Sequence, residues 1–182
     1  MKFVKTDIKD LLVIEPNVFG DNRGWFSESY NYDIFIQNGI DNVFIQDNHS
    51  FSKQKGILRG LHFQNNPKAQ TKLVRCTKGR IWDVAVDLRK SSPTYLNWFG
   101  IELTEENHKM LLVPKGFAHG FITLEDNCEV QYKVDSIYDK PSDRSIMYND
   151  PEIGISWPKM EIVLSDKDKY APLLKDSDVN FL

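Results

Sequence analysis

Short runs of Val, Ile, Leu and Phe separated by Gly, Pro, Asn and Asp leave this chain few ways to fold. LLVIEP, NVFIQDNHSF, RGLHFQ, KLVRCTKGRIWDVAVDLR, FGIELT, KMLLVPKGFAHGFITL and EVQYKV follow one another in this manner. Helical periodicity is scarce. The best case is YDIFIQN, Tyr32 to Asn38, which stops at Gly39 as a helix does at its C-terminal cap. Many short strands with turn residues between them predict an all-β protein, a jelly roll of two packed antiparallel sheets with a few short helices. TKLVRCTKGRIWDVAVDL is expected to be a hairpin turning over Lys78-Gly79. The last stretch, DPEIGISWP to LSDKDKYAPLL, is polar and proline-punctuated, but its Trp and Leu content predicts that it packs back on the body.

With 182 residues and no linker or repeat, one domain over 1–182 is expected. A net charge of −3 argues against a general nucleic-acid binder. The apolar run LLVI before Glu15 is too short for a signal-peptide core or a membrane span, which predicts a cytoplasmic protein with no membrane partner. Cys76 and Cys128 form no CxxC and no zinc spacing, and are expected as partly buried free thiols.

Charges appear where a core asks for apolar residues. On a strand, Lys72 shares a face with Val74 and Cys76, and Asp83 shares one with Ile81 and Ala85. Arg59 and His62 lie three apart, which on a regular strand sends them to opposite faces. Gly60 between them permits a bulge that would bring both into one cavity. Of the other histidines, His119 in GFAHGF reads as buried and His108 in TEENHK as solvated. A jelly roll with histidines raises the question of metal, but the close ligand pair is missing. Two residues after His62 stands Gln64, and two before it Gly60, so no metal site is expected.

Taken together, VFGDNRGWFSESY (18–30), FIQDNHSFS (44–52), ILRGLHFQ (57–64), KLVRCTKGRIWDVAVDLRKSSPTY (72–95), LLVPKGFAHGFITL (111–124), YKVDSIY (132–138), NDPEIGISWP (149–158) and LSDKD (164–168) resemble the dTDP-4-dehydrorhamnose 3,5-epimerases, nearly end to end. The resemblance implies a metal-free and cofactor-free cupin working as a homodimer in rhamnose biosynthesis. Its reaction would invert C3 and C5 of a nucleotide-linked 4-keto-6-deoxy sugar. His62 matches the base, Asp168 the carboxylate beside it, Tyr132 the acid on the opposite face and Lys72 the cation near the keto oxygen. Asp83 is a second carboxylate for that polar network. Arg23, Arg59, His119 and Lys167 would meet diphosphate and sugar, while Glu28, Gln46, Asp47 and Asn48 offer polar contacts. Phe19, Phe26 and Tyr138 supply flat surfaces, and Tyr138 matches the residue that stacks on thymine. Arg23 and Glu28 are expected to act across the dimer.

The chain departs from the family pattern at Asp143, a binding position where Glu is common, and at Ser145, where Gly is common. Rival readings are a single-carbon epimerase or 3,4-ketoisomerase on the same scaffold, a non-catalytic sugar-nucleotide-binding cupin, and a metal-dependent cupin isomerase or oxygenase.

Overall fold

A computed structural model describes all residues, 1–182. Thirteen strands and two short helices make up its regular structure. In chain order the strands are β1 (Lys2–Lys5), β2 (Leu12–Glu15), β3 (Val18–Asp21), β4 (Gly24–Ser27), β5 (Gln46–Ser52), β6 (Leu58–Gln64) and β7 (Lys72–Lys78). Then come β8 (Arg80–Asp87), β9 (Trp98–Thr104), β10 (Met110–Val113), β11 (Phe117–Thr123), β12 (Cys128–Val134) and β13 (Asp143–Ser145). The helices are α1 (Tyr32–Gln37) and α2 (Asp166–Lys169). One sheet has the order β1-β2-β10-β7-β12-β5 and the other β13-β6-β11-β8-β9, all pairs antiparallel. β3 and β4 form a separate hairpin. The expected jelly roll is therefore the observed fold.

Pleat alternation places the core. Val74, Cys76, Leu111 and Val130 of the first sheet meet Ile81, Ala85, Leu103 and Phe121 of the second between the layers. The outer face of the second sheet presents Leu61, Phe63, Val84, Val86 and Ala118, and the C-terminal segment covers it with Ile153, Leu174, Phe181 and Trp157. Each large side chain so covered contributes roughly 1.5–3 kcal/mol of burial. The outer face of the first sheet is capped in part by α1, which seats Phe35 against Leu73, Met110 and Leu112. Asn31 caps α1 by accepting from the Ile34 amide at 3.1 Å, and the helix ends before Gly39, at φ +80°, as the sequence predicts.

Three expectations are corrected. β7 and β8 are not a hairpin. β7 pairs with β10 and β12, β8 with β11 and β9, so the Lys78-Gly79 turn carries the chain from one sheet to the other. Gly79 is needed at this corner because its φ is +73° and a Cβ there would lie 2.8 Å from Cys128 Sγ. The strand expected in NVFIQDNHSF begins only at Gln46; ahead of it, the Asn42 side-chain amide donates to Thr71 and Asp135. Cys76 and Cys128 are free and fully buried, more deeply than expected.

Candidate active site

At β6 the chain does what Gly60 allows. His62 pairs with His119 and Arg59 with Phe121, so Gly60 and Leu61 together face the single residue Gly120. This bulge turns Arg59 and His62 into the same hollow. Only glycine fits. Gly60 has φ +143°, and a Cβ would stand 2.6 Å from the Gly120 Cα.

The hollow, about 380 Å³, lies between the two sheets. The five-stranded sheet contributes Arg59, His62 and His119; the six-stranded sheet contributes Lys72, Tyr132 and Ser50. Tyr138, Asp143 and Lys167 stand at its rim, and Asp168 reaches in from α2. Thus the four expected reacting side chains and five of the expected binding side chains share one cavity.

His62 Nε2 lies 2.5 Å from Asp168 Oδ1. Ser165 holds that carboxylate in turn. Its hydroxyl donates to Asp168 Oδ2 at 2.9 Å and accepts from the Asp168 amide at 3.2 Å as the cap of α2. Burial pulls the imidazole below its ordinary value of 6.5, against the opposing pull of Asp168, and the Lys167 and Lys72 cations add to the depression. Burial pushes the Asp168 carboxyl up, but His62, the Ser165 hydroxyl and the Lys167 cation together outweigh this and hold it below its ordinary range. The pair rests as neutral imidazole beside carboxylate, with the second ring nitrogen left for chemistry.

On the opposite wall, burial raises the Tyr132 phenol above its ordinary range, so it stays protonated and able to donate. Lys72 crosses the cavity and donates to the His62 carbonyl at 3.3 Å. Burial lowers its pKa to about 8, while Asp143 and Asp83 support the charge. Asp83 joins the polar network through the second histidine. It pairs with His119, at 2.9 Å, and not with His62. It is wholly buried, and its Oδ2 has no partner. The two histidines face each other across the adjacent strands β6 and β11, each with its own aspartate, Asp168 from α2 and Asp83 from β8.

At the rim Asp143 accepts from Lys167 at 2.6 Å and from the Tyr138 hydroxyl at 3.3 Å. Arg59 donates to Ser52 Oγ and to the Phe51 carbonyl, which leaves part of its fork free.

Other expected residues lie elsewhere. Asp47 is corrected: strand alternation points it to the outer face of its sheet, where it pairs with Lys133 at 2.9 Å. Asn48 and Gln46 lie on the inner side of β5, but Gln46 donates to Asn48 and accepts from the Tyr138 amide. Phe19, Arg23, Phe26 and Glu28 lie outside this cavity, on and beside the exposed β3–β4 hairpin. Phe19 and Phe26 are more than 60% exposed.

Sequence reasoning passed over Ser165, Gln64, Gln70 and Ser50. Ser165 had a signal, since S-x-x-D ahead of a helix is a capping pattern; the others had none beyond alternation. No three His, Cys, Asp or Glu side chains converge as a metal-ligand set.

Comparison with known proteins identifies the family. A family model described as dTDP-4-dehydrorhamnose 3,5-epimerase matches residues 5–176. The protein of that name from Shigella flexneri is 50% identical over 179 residues, covering 98% of both chains. The crystal structure of the Bacillus anthracis protein with TDP and PPi bound is 51% identical, with a TM-score of 0.93, covering 95% of this chain and 99% of that one. The Legionella pneumophila structure in complex with dTDP-4-keto-L-rhamnose is 44% identical, with a TM-score of 0.93, over 97% and 94% of the two chains. With its fold and nearly its whole length in common with these proteins, the chain belongs to the dTDP-4-dehydrorhamnose 3,5-epimerase family.

Proposed function

We propose that this cavity epimerises C3 and C5 of dTDP-4-dehydro-6-deoxy-D-glucose to give dTDP-4-dehydro-L-rhamnose. A ketone at C4 acidifies the hydrogens on both neighbouring carbons. Inversion then needs a base on one face of the ring, an acid on the other and a donor for the oxygen as it gains charge. The observation that carries the reading is the opposition of the walls: the His62–Asp168 pair on one side, the Tyr132 phenol on the other, the Lys72 ammonium in the same hollow.

His62, neutral at physiological pH, takes the α-proton; Asp168 holds its ring and stabilises the imidazolium. Lys72 meets the developing enolate oxygen, a contribution of roughly 3–4 kcal/mol for a positioned donor. Tyr132 returns a proton from the opposite face. Asp83 fixes the ring of His119, which faces the sugar. Arg59 and Lys167 meet the diphosphate, and Tyr138 offers its ring to the base. No step calls for a metal or cofactor.

The same reading makes the protein a homodimer. Phe19, Arg23, Phe26 and Glu28 do not reach their own cavity, and the hairpin that bears them is exposed. They would complete the neighbour's site. Two buried free thiols accord with the reducing cytoplasm, where the reaction is placed.

The test is to incubate the protein with the 4-keto sugar nucleotide in heavy water. Deuterium is expected at C3 and at C5, and His62→Ala should lower both incorporations by about 10²–10⁴-fold. Exchange surviving at either carbon in that variant rejects His62 as the common base. Label at one carbon only in the unaltered protein makes it a single-carbon epimerase.

A further inference from the structure

Between β12 and β13 the chain from Ser136 to Asp139 carries Tyr138 to the cavity rim, with no strand neighbour to pair its backbone. Three glutamine side chains do so instead. Gln64 Nε2 donates to the Ile137 carbonyl at 3.2 Å and to the Lys68 carbonyl at 2.7 Å, and its Oε1 accepts from the Asp139 amide at 2.8 Å. Gln46 Oε1 accepts from the Tyr138 amide at 3.0 Å. Gln70 Nε2 donates to the Ser136 carbonyl at 2.7 Å.

Gln64 is the centre of this clamp. It is 3% exposed, both of its amide hydrogens are donated and its oxygen already accepts one bond, so it has little left to offer a ligand. It also stands two residues after His62 on β6, and its backbone pairs with Asp143 at the rim. One strand therefore carries the imidazole and grips the loop that carries the aromatic ring. The distance between the two is set by the length of a glutamine side chain.

We propose that Gln64 is a positioning residue for substrate affinity, fixing the Tyr138 ring relative to His62 through the backbone on either side of Tyr138 and not by touching substrate. This rests on the reading of Tyr138 as the nucleobase platform. A buried amide that merely filled space would serve as well with its hydrogen bonds directed elsewhere; here two of the three go to Ile137 and Asp139, the residues flanking one ring.

Gln64→Glu keeps the shape but removes both donors and turns an oxygen toward two carbonyls. It is expected to raise KM for the sugar nucleotide about tenfold with kcat within about threefold, since the two buried hydrogen bonds it donates are lost. The decisive readout is a double-mutant cycle with Tyr138→Ala. If Gln64 acts through that ring, Gln64→Glu should add less than about twofold to KM once the ring is gone. Gln70→Leu, at a half-buried site, releases only Ser136 and is the second variant, with a rise in KM of about threefold that also vanishes in the Tyr138→Ala background. It decides the matter if Gln64→Glu does not fold. Additive effects in the cycle, or unchanged KM in folded variants, overturn the inference while leaving Tyr138 as the platform. Unchanged KM in Tyr138→Ala alone rejects the platform, and the inference with it.

Discussion

Lys72 shows what a single residue can hold in balance. Its ammonium is buried, which favours the neutral amine and brings its pKa down to about 8. Asp143 of β13 and Asp83 of β8 oppose that loss, while Lys167 of α2 adds to it. Around it stand His62 and Arg59 on β6, His119 on β11 and Tyr132 on β12. Near neutrality the site therefore has a cation beside a neutral imidazole, the state the proposed reaction needs. As pH rises through about 8 the cation is lost, so kcat/KM should fall on that side. As pH falls through the depressed pKa of His62, below 6.5, the base is lost and the rate falls again. Lys72→Arg keeps a charge that does not titrate in this range, so the alkaline limb should vanish even though the larger head group costs rate. Lys72→Met should lose roughly 10²–10³ in kcat. It should also shift the acid limb upward, because a cation that lowers the His62 pKa is gone. A pH–rate profile of the three proteins checks this. An alkaline limb that persists in Lys72→Arg would assign it to another group.

The element that decides the site is β6, through its bulge. Strict alternation would have pointed Arg59 and His62 to opposite faces, and the cavity exists with both because Gly60 and Leu61 share one partner. Gly60→Ala forces an L residue to φ +143° and drives a methyl against the Gly120 backbone. The expected cost is about 2–3 kcal/mol of stability. That corresponds to a fall in Tm of roughly 5–10 °C for a chain of this size, by calorimetry. Activity should fall further than stability explains, since His62 and Arg59 would no longer converge; a folded Gly60→Ala with normal kcat would show that the bulge is incidental. Alternation also made the inward faces of Lys72 and Asp83 legible in the sequence, along with most strands and α1. It did not say which sheet each strand joins. Lys78-Gly79 reads identically as a hairpin turn or as a corner between sheets, because a period of two and a glycine at positive φ serve both. The partner of Asp83 was illegible for the same reason: only the pairing of β8 with β11 decides that His119 takes it.

Across the whole molecule, the two ends of the chain supply what the barrel lacks. The C-terminal segment brings Asp168 to His62 across a sequence separation of 106 residues. Local spacing cannot reveal such a contact, and only the family resemblance suggested it. That the segment packs back was legible from the Trp and Leu of a polar stretch, and Trp157 and Leu174 are among the side chains that cover the sheet. The N-terminal hairpin does the reverse. It turns Phe19, Trp25 and Phe26 outward, over 60% exposed each, and keeps Arg23 away from its own cavity. Aromatic surface of this kind on a two-stranded hairpin gains stability by being covered, and a two-fold dimer covers both copies at once. If each hairpin serves the other subunit's cavity, His62→Ala and Arg23→Ala damage the same site from different chains. Mixed and allowed to exchange subunits, the two weak proteins should form heterodimers in which one site carries both defects and the other carries none. Recovery to about a quarter of the unaltered activity is the statistical expectation for free exchange in a dimer. Sedimentation should report the dimer in each variant. Failure to recover activity, with exchange demonstrated, would place Arg23 and His62 in the same subunit's site or Arg23 in none, and the hairpin's aromatic face would then need another explanation.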